Sequence, residues 1–310
     1  MSKISKSKIK DFMFLILTAL TAFSIILLVS GIFLVLLKES LPAINKFGFK
    51  GFVFSTEWDP VREIFGAAPA LIGTLITASL ALLLAVPVSI GIAIFITEIA
   101  PPFLKTPVGT AIELLAAIPS IIYGMWGLFT LAPIMSKYIE PFFQSTIGKI
   151  PIVGKIFEGT PLGVDLFTAS VILSIMIIPF TASIARDSFN LTPSVLKESA
   201  YAIGATKWEV VKDIVLPYSK IGVLGGVGLS LGRALGETMA VAFVLGNLNQ
   251  IPDSLLDAAA TVTVKLANEF TEADKDIYLS ALYYLALLLF VMSFAILALA
   301  KTFIVKAERR

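Results

Sequence analysis

Three ionisable residues stand in stretches otherwise apolar enough to cross a membrane: Glu113, Arg233 and Glu237. Each costs at least ~2.5–3.5 kcal/mol at a helix centre, so each should face the protein interior or water rather than lipid. An arginine suits an oxyanion, because its planar fork gives two parallel donors and it stays charged. Arg233 and Glu237 are four residues apart, which on an unbroken helix puts them on one face, where each offsets the other's burial. Glu237 would hold Arg233 while no anion is present, or accept a proton-bearing anion oxygen. The bland alternative is a buried ion pair that fixes helix register. Glu113 reads as part of the same pathway, near the end of its helix, where a carboxylate also suits a helix N-terminus. Gly228, Gly232 and Gly236 make a small-residue stripe beside Arg233 that lets a helix or a substrate approach the backbone.

Other chemistries are excluded by composition. The 310 residues contain no cysteine and no histidine, so there is no disulfide, no thiolate metal site and no histidine base. No catalytic residue and no metal site is expected. No Gly-x4-Gly-Lys-[Ser/Thr] phosphate loop is present, and the nearest fragment, Gly148-Lys149, lacks the first glycine and the hydroxyl. Nucleotide chemistry in this chain is therefore not expected, and neither is enzyme activity; any ATP and magnesium would belong on a partner.

The elements that position these charges are long apolar runs. The chain is 57% hydrophobic and 15% charged, which places it among membrane proteins. Spans are expected at about 12–37, 67–96, 109–135, 166–185, 221–246 and 277–300. The first is too long for a signal-peptide core and reads as a retained helix. Polar loops fall at 39–66, 136–165 and 247–276 on one side, and a short turn at 98–108 and a longer loop at 186–220 on the other. The side holding the termini carries 14 Lys and Arg against nine opposite, which predicts both termini in the cytoplasm. No fixed-period repeat or low-complexity linker divides the chain, so residues 1–310 read as one all-α membrane domain.

The 186–220 loop has a pattern of its own. Thr192-Pro193 is a start signal, with Thr192 as N-cap, and Gly204 a stop. Thr206 and Glu209 have capping-box spacing for a second short helix, which Pro217 is expected to end. Leu196, Ala200 and Ile203 should share one face of the first helix, and Trp208, Val211 and Val215 one face of the second. Such a hairpin offers an apolar, lightly charged surface.

Glu198, Ala200 and Gly204, followed after nine residues by Ile214, Leu216 and Pro217, resemble the EAA loop of permease subunits of bacterial ABC importers, with Ser199 in place of an alanine. That resemblance implies a type I importer fold and a cytoplasmic 192–217 loop that docks on an ATPase. A narrower resemblance rests on Leu231 to Val241, on Phe65-Gly66 with Gly73-Thr74-Leu75, on Ala85-Val86-Pro87, and on Glu113 to Ser120 with Tyr123 to Leu128. These are similar to PstC-type phosphate permeases, from about residue 10 to 305, and the long first outer loop fits PstC better than PstA. The resemblance implies a bacterial or archaeal inner-membrane subunit that moves inorganic phosphate. It also implies a PstA-type sister permease, two copies of an ATP-binding subunit and an external phosphate-binding protein, with lipid around it and no nucleic acid. The residues alone leave sulfate, molybdate or phosphonate open as the anion. They also leave open an ATP-independent secondary transporter or channel using Arg233 and Glu237 as a charge relay.

Overall fold

A computed structural model describes residues 2–150 and 154–308. The chain is helical nearly throughout. In order the helices are α1 (Ser2–Val53), α2 (Ala68–Ile94), α3 (Pro102–Ala116), α4 (Ser120–Lys149), α5 (Leu166–Asn190), α6 (Ser194–Ala202), α7 (Lys207–Leu235), α8 (Met239–Ala242), α9 (Val262–Glu269) and α10 (Asp276–Glu308). Among the described residues α1, α2, α5, α7 and α10 are each long and apolar enough to cross a membrane. The pair α3–α4, bent by 88°, passes the same test only when its two helices are taken together, which gives five spans, or six if the pair is one span.

Five of the expected spans fall on single long helices and the third on the bent pair, but boundaries move for physical reasons, the fifth most of all, from the expected 221–246 to Lys207–Leu235. Helix α1 runs on to Val53, through most of what reads as loop 39–66, and breaks its helical geometry only at Gly48, whose φ of 67° suits glycine. The 136–165 stretch is largely helical as far as Lys149, through α4. The third span is two helices, because Pro119 at the N-cap of α4 has no N–H to continue α3.

At the centre α2 packs along α5. The buried face of α2 is a run of small residues, among them Gly73, Ala78, Ala81, Ala85, Ser89 and Ala93. Small side chains let the two backbones close together, and the Ser89 hydroxyl donates across the interface to the Ile178 carbonyl at 3.1 Å. Ile172, Leu173, Met176 and Ile177 of α5 fill the opposite side. A second core joins α1 to α10 through aromatic rings, with Phe52 stacked on Tyr284 at 4.3 Å and Phe65 on Tyr278 at 5.3 Å. The outward face of α1, from Phe12 to Val35, is exposed and apolar, as a lipid-facing surface must be.

The connections sort to two ends. At one end Trp58 Nε1 donates to Glu269, and Ser254 to the Ile156 carbonyl, which knits the three long loops together. At the other end Lys197 of α6 pairs with Glu98 in the turn after α2. The three long loops thus share one end, and the turn at 98–108 and the 186–220 loop share the other.

Candidate transport and coupling sites

The hairpin is built as its residues dictate, with two exceptions. Gly204 has φ of 94°. Its N–H bonds to the Tyr201 carbonyl and the next N–H, of Ala205, to the Ala200 carbonyl, both at 3.0 Å. Those two bonds are the Schellman stop that glycine makes cheap. The capping box is complete: Glu209 N–H donates to Thr206 Oγ1 at 3.4 Å and Thr206 N–H to Glu209 Oε2 at 2.7 Å. The first exception is the start of α6. Thr192 does not cap it; the N-cap is Pro193, and the Thr192 hydroxyl is buried without a described partner. The second is Pro217, which does not end the second helix. A wide turn at 211–215 precedes it, and Pro217 sits in the first turn of the next segment, where no N–H is needed. Helix α7 therefore runs unbroken from the hairpin to Leu235.

The two expected apolar faces are also redistributed. Ala200, Val210 and Val215 pack inward with Ala185 and Phe189 of α5, and Val211 is buried too. Ile203 is 88% exposed and Trp208 64% exposed, with Leu196 also outward. Glu198 and Pro217 are exposed, while Ile214 and Leu216 are half-buried. Between α6 and the start of α7 lies a groove of about 430 Å³ lined by Ala200, Ile203, Gly204, Glu209 and Ile214, among others. The hairpin thus presents an apolar rim around a concave centre.

At the far end of α7 the expected Arg233–Glu237 pair is absent among the described residues. Helix α7 stops at Leu235 with Gly236 as its cap, so Glu237 leaves the face that Arg233 occupies. Tertiary bonds hold it there. The Thr263 hydroxyl donates to the Glu237 carbonyl at 2.6 Å, and the Ala240 N–H donates to Glu237 Oε1 at 3.1 Å. Arg233 instead lies over the Phe180 ring of α5, 5.6 Å from its centroid. It is half-buried in the last turn of α7, where the helix dipole favours a cation. Thr181 and Ser230, one turn away, share a buried 2.6 Å hydrogen bond that ties α5 to α7.

The start of α4 closes this region. A side chain at Gly124 would meet the Met239 carbonyl at 2.7 Å, so only glycine lets α4 reach the segment after Glu237. Tyr123 OH donates back to the Leu115 carbonyl at 3.0 Å, bridging the break between α3 and α4. Broken helices that expose backbone beside a charged residue are a recurring device at transporter sites. The glycine stripe works differently from expectation. A Cβ at Gly222 would meet Ser188 at 2.4 Å and one at Gly226 would meet Ile184 at 2.7 Å, whereas Gly232 makes only ordinary contact with Leu297.

Glu113 is not at a helix N-terminus. It lies in the last turn of α3, where the dipole disfavours a carboxylate, and its partner is Arg186 of α5, at 2.7 Å. Arg186 is a residue that sequence reasoning missed. At the end of a span it counts only as a topological charge, and nothing local names a partner 73 positions away. Phe180 was equally invisible as the neighbour of Arg233, since it is uncharged.

Comparison with known proteins places this architecture. The family described as binding-protein-dependent transport system inner membrane component matches residues 89–305. The phosphate transport system permease protein PstC of Xylella fastidiosa is 51% identical over 301 residues, 97% of this chain and 92% of the relative. The probable phosphate transport system permease protein PstC of Methanocaldococcus jannaschii is 35% identical over 93% of this chain and 91% of its own. Among solved structures, a bacterial alginate ABC transporter bound to its periplasmic protein aligns with a TM-score of 0.59 at 18% identity, over 95% of this chain and 94% of that one, which is a likeness of fold. With the match extending across spans, hairpin and the Arg233 region alike, the chain belongs to the family of binding-protein-dependent transport inner-membrane components, as a PstC-type permease.

Proposed function

We propose that the chain, as a single membrane domain, is the permease subunit through which an ABC importer moves inorganic phosphate into the cytoplasm. The observation that carries the coupling is the continuity of α7, which joins the hairpin at Lys207 to Arg233 without a break. ATP and magnesium are handled by two copies of a partner ATPase docked on the hairpin, with Glu198, Ala200 and Gly204 at the contact and Ile214, Leu216 and Pro217 carrying it into α7. A PstA-type sister permease completes the pathway, and an external phosphate-binding protein delivers the anion to the end where the three long loops meet. The hairpin and both termini face the cytoplasm. Arg233 is the cation that meets the anion, oriented by Phe180. Glu237, held apart from Arg233, fits the acceptance of a proton-bearing anion oxygen better than a resting ion pair. Glu113, with Arg186, lies further along the route.

Radiolabelled phosphate uptake into vesicles holding this chain, the sister permease, the ATPase and the binding protein tests the proposal, with wild type and Arg233→Gln compared with and without ATP. ATP-dependent uptake that Arg233→Gln abolishes and sulfate does not inhibit is expected. Uptake without ATP refutes the coupling, and ATP-driven uptake that survives Arg233→Gln makes the arginine structural. Gly204→Pro or Ala200→Asp should leave ATP hydrolysis running with uptake lost.

A further inference from the structure

A second pair of cations converges at the hairpin end, away from Arg233. The turn after α2, helix α3 and the last turns of α5 enclose a cavity of about 300 Å³, room for roughly ten waters at ~30 Å³ each. Lys105 and Arg186 both line it, with Thr106, Thr110, Asn190 and Glu113. Each cation is anchored and each has donors to spare. Lys105 Nζ donates to the Thr97 carbonyl, which fixes the ammonium and leaves two N–H groups. Arg186 spends Nη2 on Glu113 and Asp187, and Nε on Asp187. Its Nη1 donates to no described residue. A Cβ at Gly109 would lie 2.6 Å from Nη1, so glycine there is what leaves that edge of the guanidinium room.

The hydroxyls of Thr106 and Thr110 stand one turn apart on the same face of α3, and neither makes a described hydrogen bond. Glu113 and Asp187 both pair with Arg186, so with Lys105 the four charges at the site balance, and it is Lys105 that has no acid against it among the described residues. Unspent N–H and O–H donors converging beside the Lys105 ammonium match an anion with several acceptor oxygens.

We propose that this cavity binds a phosphate group, held by Lys105 and the free edge of Arg186, with Thr106, Thr110 and Asn190 as neutral donors. Two sources share that chemistry. One is inorganic phosphate leaving the pathway, a case that rests on the transport reading above. The other is the headgroup of an anionic lipid, for which the neighbouring exposed Phe103 offers an apolar flank.

The test uses the purified full chain in an Arg233→Gln background, so that binding near Arg233 does not contribute. Equilibrium binding of radiolabelled inorganic phosphate and retention of phosphatidylglycerol are measured side by side. Lys105→Gln should weaken one of them by about tenfold or more, as expected for one charge-assisted bond, and Thr110→Val should weaken the same one by less. A response of inorganic phosphate alone assigns the cavity to the free anion, and a response of lipid alone assigns it to a headgroup; both support the site. If neither probe responds to either variant, the proposal is overturned. Thr110→Val carries the test by itself if Lys105→Gln does not fold. Wild-type vesicles that fail to take up phosphate would sink the transport reading while leaving the lipid arm standing.

Discussion

Glu269→Ala should be among the most damaging changes at the outer end, and its cost can be worked from three contacts. Glu269 Oε1 pairs with Lys265 Nζ at 2.9 Å. Oε2 accepts from Trp58 Nε1 and from Tyr278 OH, both at 2.8 Å. The Lys265 side chain is 5% exposed and that of Glu269 20%. Removing the acid leaves a buried ammonium with only the Asn249 side chain at 3.2 Å and the face of Trp58, 4.1 Å from the ring centroid. Breaking a buried pair costs ~3–5 kcal/mol. The partial exposure of Glu269 argues for the lower part of that range, and the two stranded neutral donors raise it again. About 4 kcal/mol is the expected loss, which at ~2 °C per kcal/mol for a chain of this size lowers Tm by roughly 8 °C. Thermal unfolding of the purified chain in detergent, followed by tryptophan emission, reads it, with Trp58 emission shifting red. Glu269→Gln, which keeps one acceptor, should recover part of the loss. A Tm drop below ~2 °C, or a glutamine variant no better than alanine, would refute this reasoning.

Three further outcomes are expected. Gly73→Ala would place a methyl 2.1 Å from the Ala260 carbonyl, so α2 and the strap before α9 must separate; the cost is about 1–3 kcal/mol, seen as a lower Tm with insertion intact. At Gly204, alanine in the left-handed region costs about 1–2 kcal/mol and asparagine less, so coupled uptake should rank glycine, asparagine, alanine; alanine equal to wild type would remove the turn from the coupling argument. Burial pushes the Asp165 carboxyl up from its ordinary range of 3.8. The folded state then holds a proton that the unfolded chain has released, so stability falls as pH rises from about 3.8 through the folded value. Asp165→Asn keeps the cap on the Thr168 N–H and should flatten that part of a Tm-against-pH curve, and an unchanged slope would assign it to another group.

The spans were legible because apolar length alone decides them, and the hairpin because its signals are local: a glycine at the stop and a Thr-x-x-Glu box at the start. What sequence missed was decided at a distance. Nothing near Gly236 says that α7 ends there, since the residues beyond it are as apolar as those before; the Thr263 hydroxyl, 26 positions away, captures the Glu237 carbonyl. The same holds for Glu113, whose neighbours say nothing of Arg186. Pro217 misled in the opposite direction. Proline reads as a stop, yet the wide turn before it lets the helix restart without the missing N–H.

That restart changes how the proposed coupling works. Had Pro217 ended the second helix, the hairpin would hang from a loop, and a push from an ATPase would be absorbed by bending. Instead the 27 residues from Lys207 to Arg233 form one helix, about 39 Å long at 1.5 Å rise per residue. Helix α5 flanks the hairpin on its other side and is fastened to α7 by the Thr181–Ser230 bond, while Gly222 and Gly226 bring the two backbones together. In the proposed coupling α5 and α7, so fastened, would move as a pair and carry Phe180, Arg186 and Arg233 with them. Glu113, Tyr123 and Lys105 ride on the broken pair α3–α4. In that coupling a displacement of one pair against the other would change both charged regions at once, and the Arg186–Glu113 ion pair, which joins the two pairs at 2.7 Å, would have to stretch.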